Sequence, residues 1–300
     1  MANLILISAL LLTRDVRVTQ DRVLGLDDAR ATSSLAKIEH AKSDHTIHRL
    51  GRGTCPRCPL VNETMAGTSP SSQPVNVQVG PIERADVLFA ARDGGDNLKQ
   101  AASMMEQLTT REPSNFEAWW RLARLKYYLA DREQDSSRKS KLLQGGIDAA
   151  RKAVALDGKR VEGHFWFAAN EGEYADMKGA LQSLNLVKTI RKEFEAALAI
   201  NPAYENGAIY SALGQIDLNL PRLLGGNERR GIERLEEGLK VGPNNAELTV
   251  TLAEVYARKG RKDEARTLLE SVVSGNDPAR SPAEMAELKT KARALLDKLK

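Results

Sequence analysis

The chain has 300 residues, a formal net charge of +4 and 28% charged residues. Its two cysteines are too few for a disulfide framework. Charges of both signs are interspersed, and no basic face is clustered enough to predict nucleic-acid binding. The apolar run Asn3–Leu12 is much shorter than the roughly 18 residues that a membrane span requires. No transmembrane segment is therefore predicted.

Residues 1–80 are predicted to lie apart from the rest of the chain. Asn3–Leu12 is long enough for the core of a signal peptide, but it lacks a preceding basic stretch and a following small-residue cleavage site. Residues 64–80 are rich in Ser, Pro and Gly, which predicts a flexible linker. Two interpretations stay open for the first 64 residues: a disordered extension, or sequence upstream of a true translation start at Met65. A start at Met65 favours a cytoplasmic protein, whereas a functional signal would give an exported, periplasmic one.

The same segment contains a metal-like motif. His45 and His48 precede Cys55 and Cys58, and each pair could bind zinc from one turn of a Cys2His2 site. The order is reversed relative to a zinc finger, and the loop between the pairs is too short for the helix of a finger. An unstructured or spurious tail explains the motif better. No metal or other cofactor is predicted.

From residue 81 onward the sequence predicts amphipathic helices in pairs, with apolar residues at three- to four-residue spacing. Each pair ends at a Pro, which cannot continue a helix, or at a Gly that stands in its place: Pro113, Gly158, Pro202 and Pro243. The first helix of each pair is predicted over Glu83–Asp93, Phe116–Leu129, Val161–Tyr174, Tyr204–Leu218 and Ala246–Lys259. No stretch alternates convincingly as a strand.

The C-terminal part has the clearest repeat. The large, small, aromatic and turn positions of a tetratricopeptide helix pair match Leu252, Ala253, Tyr256, Gly260, Ala265, Leu269 and Pro278. One such pair cannot bury its apolar faces alone, so neighbouring pairs must stack on it. The prediction is an all-α, tetratricopeptide-like superhelix of helical hairpins over residues 81–300. Ser281–Leu299 is predicted as its capping helix, with Ser281 as N-cap and Pro282 at the first position.

Two features of the middle units depart from a simple repeat. The stop residues are 41 to 45 residues apart, whereas the tetratricopeptide period is about 34. Longer helices or inserted loops are therefore expected. One such loop is predicted at residues 220–227, because it contains Pro221 and the Gly225–Gly226 pair.

No signature of catalysis is found: the sequence has no phosphate-binding loop, no G-x-S-x-G and no H-E-x-x-H. His164, next to Phe165–Phe167, is predicted to be a packed or hydrogen-bonded structural residue. Glu171 and Glu173 lie on opposite sides of a helix, which does not suit a carboxylate pair that shares a proton. The chain is therefore predicted not to be an enzyme.

The concave groove of the superhelix is the predicted binding surface, because the first helix of each pair lines it. Aromatic residues and Arg anchor partners from small areas. The candidate partner-binding residues are Trp120, Arg124, Tyr127, Tyr128, Asn170 and Asn206. For the aromatic residues the alternative is packing between helices or at the rim. For the two Asn residues, the alternative to bonding the backbone of a bound peptide is exposure to solvent.

Three sequence blocks resemble known families: W-R-L-A-R at 120–124, A-R-K-A-V-A-L at 150–156 and G-H-F-W-F-A-A-N-E-G-E-Y at 163–174. They resemble the regulator of microtubule dynamics family, which has similar blocks in the same order. They are also similar to the TRAP-transporter-associated tetratricopeptide proteins, which are bacterial periplasmic lipoproteins with an L-P-x-x-x-G-G loop like Leu220–Gly226. The resemblance covers about residues 115–275.

The resemblance implies an adaptor or scaffold that binds a peptide or a partner helix. The alternative that it implies is an exported accessory component of a solute transport system, which binds a small ligand or the transporter. Against that alternative, Cys55 follows Gly51–Thr54 and lies far from the apolar start, so the sequence has no lipoprotein signal of the expected form. The expected partner is a protein or peptide, and homo-oligomerisation stays open.

Overall fold

The computed structural model describes residues 80–300, except for the side chains of residues 180–182 and 184. Within this range the chain forms eleven α-helices: α1 Pro81–Ala90, α2 Asn97–Arg111, α3 Phe116–Asp131, α4 Ser136–Leu156, α5 Val161–Lys178, α6 Ala180–Ile200, α7 Ala208–Asn219, α8 Glu228–Val241, α9 Ala246–Arg258, α10 Lys262–Ser274 and α11 Pro282–Lys298. Two 3-10 turns cover Tyr204–Gly207 and Arg222–Leu224. The predicted all-α solenoid is confirmed. The predicted extension over residues 1–80 lies outside the described residues except for Gly80.

The predicted stop residues mark the helix ends. Helices α2, α4, α6 and α8 each end two residues before their stop. Four helices, α3, α4, α8 and α9, are preceded by an Asn or Asp N-cap whose side chain accepts a hydrogen bond from the backbone amide three residues later. Each such cap contributes about 1 kcal/mol. The caps are Asn115, Asp135, Asn227 and Asn245.

The long spacing of the middle units comes from helix length. Helices α4 and α6 each have 21 residues, against 13 in α10. The predicted loop at residues 220–227 is present and contains the turn Arg222–Leu224. Both predicted departures from the simple repeat are therefore confirmed.

The predicted start of α7 is wrong. The helix was expected from Tyr204, but α7 begins at Ala208. Glu205, Asn206 and Gly207 have φ values of 48°, 56° and 80°, which place all three in the left-handed region. A right-handed helix cannot pass through such backbone, and the conformation costs about 1–2 kcal/mol for a residue with a side chain.

Helices α4 and α5 cross at Gly146. The Asn170 side chain of α5 is fully buried there, and its Nδ2 donates to the carbonyl oxygens of Trp166 at 2.8 Å and Ala123 at 3.2 Å. A Cβ atom on Gly146 would lie 2.0 Å from Asn170 Oδ1. Glycine at position 146 is therefore what makes room for the Asn170 amide between α3, α4 and α5.

The two ends of the superhelix are joined. Arg92, just after α1, donates from Nε and Nη2 to both carboxylate oxygens of Glu284 in α11, at 2.8 and 2.7 Å. Its Nη2 also donates to the carbonyl oxygen of Ala279 at 2.9 Å. Beside this pair, Ser281 Oγ donates to Asp93 Oδ1 at 2.7 Å. Arg92 and Glu284 are 5% and 4% exposed, so the contact between the first and last helices is a buried one.

Glu284 also caps α11. Its backbone amide donates to Ser281 Oγ, and its carboxylate accepts from the Ser281 backbone amide. Ser281 and Pro282 occupy the predicted N-cap and first position, so that prediction is confirmed. Ser281 and Glu284 at the start of α11 are buried where they meet the segment after α1, whereas Pro282 and Ala283 are exposed.

We expect Gly146→Ala to lower the free energy of unfolding by about 1–3 kcal/mol, because the new methyl group displaces the Asn170 amide. The matched control is Gly145→Ala in the same helix, where a Cβ atom meets only the flexible side chain of Lys126. The control should stabilise the helix by up to about 1 kcal/mol. Thermal unfolding followed by circular dichroism compares the two. Equal shifts for both variants would contradict the described crossing.

We expect Arg92→Ala and Glu284→Gln each to lower the free energy of unfolding by about 3–5 kcal/mol, because each leaves a buried charge without its partner. The double variant should lose clearly less than the sum of the two single losses, because it removes both charges and leaves neither unpaired. Urea unfolding of all four proteins measures this coupling. The control pair is the more exposed Lys291 with Glu254, whose 3.0 Å contact should contribute about 0–1 kcal/mol. Additive losses for Arg92 and Glu284 would mean that the ends do not meet.

Candidate partner-binding cleft

A cleft opens on the face formed by the first helices of the pairs. Its walls come from α3, α5, the start of α9, the turn Tyr204–Gly207 and the segment 277–280. The cavity inside the cleft has a volume of about 60 Å³, and the space including its open mouth is about 630 Å³. Its interior is therefore narrow, and it suits a side chain or a chain segment better than a whole helix about 10 Å wide.

The structure brings three of the six predicted binding residues to this cleft. Tyr127 and Tyr128 of α3 line it, and so does Asn206. The Asn206 carbonyl oxygen accepts from Asn245 Nδ2 at 2.8 Å. No hydrogen bond of the Asn206 side-chain amide is found among residues 80–300, so this amide is free to bind a ligand.

The other three candidates lie outside the lining. Trp120 is 8% exposed, and its Nε1 donates to Glu117 at 2.8 Å. Arg124 Nη2 donates to Asp86 of α1 at 2.7 Å, and its guanidinium stacks over Phe89. Asn170 neither faces solvent nor reaches the cleft, because it is enclosed at the crossing of α4 and α5. These residues pack helices together behind the cleft.

The cleft has a wall of aromatic rings that was not predicted as a site. Phe165 and Trp166 line it with the two tyrosines of α3, and Trp166 packs against Tyr127 with ring centroids 5.6 Å apart. Phe165 makes edge-on contacts with Trp166 and Tyr204, at 5.0 and 5.1 Å. Trp166 Nε1 donates to the Tyr204 hydroxyl at 3.1 Å. The signal in the sequence is the aromatic run beside His164, which on its own indicates only packing.

Charged side chains line the same cleft as the aromatic rings. Arg280 Nη2 donates to Glu247 at 2.6 Å, and its Nε lies 3.7 Å from Asp277. Burial raises the pKa of Glu205 above its ordinary value, although Arg124 and Arg280 oppose the shift. Among the described residues the Glu205 carboxylate accepts no hydrogen bond and has no ion pair. It is the one acidic group of the lining without a partner in residues 80–300.

Two further carboxyl groups are buried on α5. Glu171 and Glu173 are each 7% exposed, and each has one oxygen without a hydrogen-bond partner in the described part of the chain. Burial raises the pKa of both to about 7; Arg151 opposes the shift at Glu171 and Lys139 opposes it at Glu173. They face different neighbours, in accord with their predicted positions on opposite sides of the helix.

His164 is held between elements. Its Nδ1 lies 2.6 Å from Glu193 of α6, and its Nε2 lies 3.0 Å from the carbonyl oxygen of Gly158. The predicted zinc residues His45, His48, Cys55 and Cys58 lie outside the described residues. Within residues 80–300, no helix combines the length and the apolar character that crossing a membrane requires.

Two family models match the chain. Residues 82–215 match the model for regulator of microtubule dynamics proteins 1–3, and residues 226–292 match a tetratricopeptide-repeat model. The C-terminal part of the chain is therefore similar to tetratricopeptide repeats. The resemblance to the regulator of microtubule dynamics family is thereby confirmed over the first of these ranges. No curated protein matches the chain significantly.

Several solved structures are similar to this chain. TTC0263, a thermophilic tetratricopeptide protein of Thermus thermophilus, is 19% identical with a TM-score of 0.54, over 72% of this chain and 97% of that one. PilF of Pseudomonas aeruginosa is 15% identical with a TM-score of 0.45, over 74% and 90%. MamA of Desulfovibrio magneticus RS-1 is 17% identical with a TM-score of 0.40, over 72% and 96%. At such identities the likeness to TTC0263 shows the solenoid fold alone.

Glu173→Gln should remove part of the pH dependence of stability. The raised pKa means that the folded chain binds this proton more tightly than the unfolded chain, so stability falls as the pH rises from about 4.5 to about 7. Above that range the variant should be more stable than the parent by about 1–3 kcal/mol, because no carboxylate has to be buried. Urea unfolding at about pH 5 and about pH 8 measures the difference. Glu287→Gln on the exposed side of α11 is the control and should change neither value. An equal effect of Glu173→Gln at both pH values would contradict the assignment.

Proposed function

We propose that this tetratricopeptide-like protein is an interaction scaffold that binds an extended peptide of a partner protein in the cleft of its concave face. The observation that carries the proposal is the combination of an aromatic wall with polar groups that have no partner in the described chain. Solenoids of stacked helix pairs use such extended concave surfaces for binding. The tetratricopeptide match over residues 226–292 supports a protein-interaction role in general.

The polar groups suit the backbone of a peptide. The free Asn206 amide has both a donor and an acceptor, which is what an extended backbone requires of a neighbour. A ligand that satisfied these groups would recover interactions that the unliganded chain leaves unmade.

The aromatic wall suits peptide side chains. Tyr128 is a partly exposed aromatic ring of the lining, and such residues contribute much of the binding energy at protein interfaces. Trp166 is 3% exposed and supports the wall. The narrow interior favours an extended segment over the partner helix that the sequence also allowed. Of the predicted residues, Tyr127, Tyr128 and Asn206 would contact the ligand in this arrangement. Trp120, Arg124 and Asn170 would hold the walls in place.

Selection of random linear peptides displayed on phage, with the full chain as target, tests the proposal. Asn206→Gly should lower the affinity for the selected peptides by roughly fivefold to tenfold, which corresponds to the loss of one or two hydrogen bonds. Glycine accepts the left-handed backbone at this position, so the variant removes the amide without straining the turn. The matched control is Asn244→Gly, which changes an exposed Asn outside the cleft lining and should leave binding unchanged.

Peptides that bind both Asn variants equally, or a failure to select any peptide, would contradict the proposal. The alternative is the accessory component of a solute transport system. Native mass spectrometry of the purified full chain tests that function, because a stoichiometric small organic molecule retained on the protein would favour it.

A further inference from the structure

The cleft has an excess of negative charge that its own arginine does not balance. We propose that it recognises a basic side chain, Arg or Lys, of the bound peptide, and that this side chain sits against the carboxylate of Glu205. The proposal rests on the peptide-binding function above and adds the chemical class of the ligand. It also identifies Glu205 as a specificity-determining residue.

The charges of the lining support a cationic ligand. Three carboxylates line the cleft, from Glu205, Glu247 and Asp277, against the single guanidinium of Arg280. Arg280 is already engaged, because it bonds Glu247 at 2.6 Å and lies 3.7 Å from Asp277. Asp277 is also engaged by the backbone amides of Ala246 and Ala279. Glu205 is therefore the carboxylate left to bind a cation from outside.

The nearby arginines behind the cleft do not remove this excess. Arg124 bonds Asp86 at 2.7 Å, and Arg92 bonds Glu284 at 2.7 Å. Both arginines are already engaged by carboxylates, although Arg124 shares Asp86 with Arg121. Both still attract Glu205, but burial outweighs that attraction and keeps the pKa of Glu205 raised. A ligand cation in direct contact would supply the compensation that is missing.

The aromatic wall favours a cation over a neutral polar group. Arginine lies over aromatic rings elsewhere at this end of the chain: Arg92 lies 5.4 Å from the ring centre of Tyr128, and Arg124 lies 3.9 Å from that of Phe89. Cations are attracted to the faces of such rings, and the attraction grows when water is excluded. Phe165 and Trp166 line the same cleft as Glu205. A guanidinium or ammonium group at Glu205 would therefore meet both a carboxylate and aromatic surface.

The size of the interior fits the same ligand. The space of about 60 Å³ holds a few water molecules, each of which needs about 10–15 Å³ of such volume. An ammonium or guanidinium group has a similar bulk, whereas an aromatic side chain or a helix would have to push the walls apart. The wider mouth accommodates the remainder of an extended chain.

The turn that carries Glu205 is fixed in place. Asn245 Nδ2 holds the Asn206 carbonyl oxygen, and Gly242 packs so closely that a Cβ atom there would lie 2.0 Å from that oxygen. The left-handed conformation of Glu205 is thus imposed by its neighbours, and it determines where the carboxylate lies. A ligand cation would find the carboxylate already positioned.

The amino-acid content of the peptides selected on phage tests this inference. Peptides selected on the full chain should contain more Arg and Lys than the starting library. Glu205→Gln keeps the shape of the side chain and removes its charge. It should abolish the enrichment in Arg and Lys and lower the affinity for the selected peptides by about tenfold or more. The matched control, Glu287→Gln, removes the same charge from an exposed position on α11 and should have no effect.

A second variant acts in the opposite direction. Arg280→Gln removes the internal cation, so it should tighten the binding of the same basic peptides severalfold, a result that misfolding cannot imitate. The inference would be overturned if the selected peptides were not enriched in Arg and Lys, or if they bound the parent and Glu205→Gln equally. Unchanged or weaker binding of these peptides to Arg280→Gln would also overturn it. In those cases the peptide-binding function would stand. If no peptide is selected at all, the function itself fails.

Discussion

The ion pair between Arg92 and Glu284 is the contact on which the form of the concave face depends. Burying two charges is costly, and the cost is offset only when the geometry is good and the remaining hydrogen bonds are made. Both conditions hold: the pair is bidentate, Arg92 also bonds the Ala279 carbonyl oxygen, and Glu284 completes the cap of α11. The segment before α11 is thereby held beside α3 and α9. Without this closure the cleft would lack the wall that contains Asp277 and Arg280.

The opposite wall depends on backbone strain at the turn Tyr204–Gly207. Two residues with side chains stay in the left-handed region there, and such strain persists only where the surroundings impose it. Asn245 links this turn to the helix array, because its Oδ1 caps α9 while its Nδ2 holds the turn. The cleft therefore lies between two constrained segments, and one of them presents a carboxylate that the described chain does not neutralise.

Most of what could be predicted from the sequence is local. Pro and Gly stops, Asn caps and apolar spacing act within a few residues, so the helix pairs and the capping box position of Ser281 could be predicted. The start of α7 was missed although Asn206 and Gly207 are the residue types that accept left-handed backbone. Tyr127 and Tyr128 could be assigned to the groove from helix geometry. The contact of Arg92 with Glu284 has no local signal, because 192 residues separate the partners.

Closure and binding use the same short segment. Arg92 holds the carbonyl oxygen of Ala279, and the next residue, Arg280, bonds Glu247 within the cleft. On the proposed function, a basic ligand at Glu205 repels Arg280 and so acts on the residue beside the closure contact. Coupling between two sites is reciprocal in binding free energy. A ligand whose binding is coupled to this segment would change the strength of the joint between α1 and α11, and a change in the joint would alter ligand binding by the same free energy. On the proposed function, the buried ion pair would contribute both to the stability of the closed array and to the affinity of the cleft for its ligand.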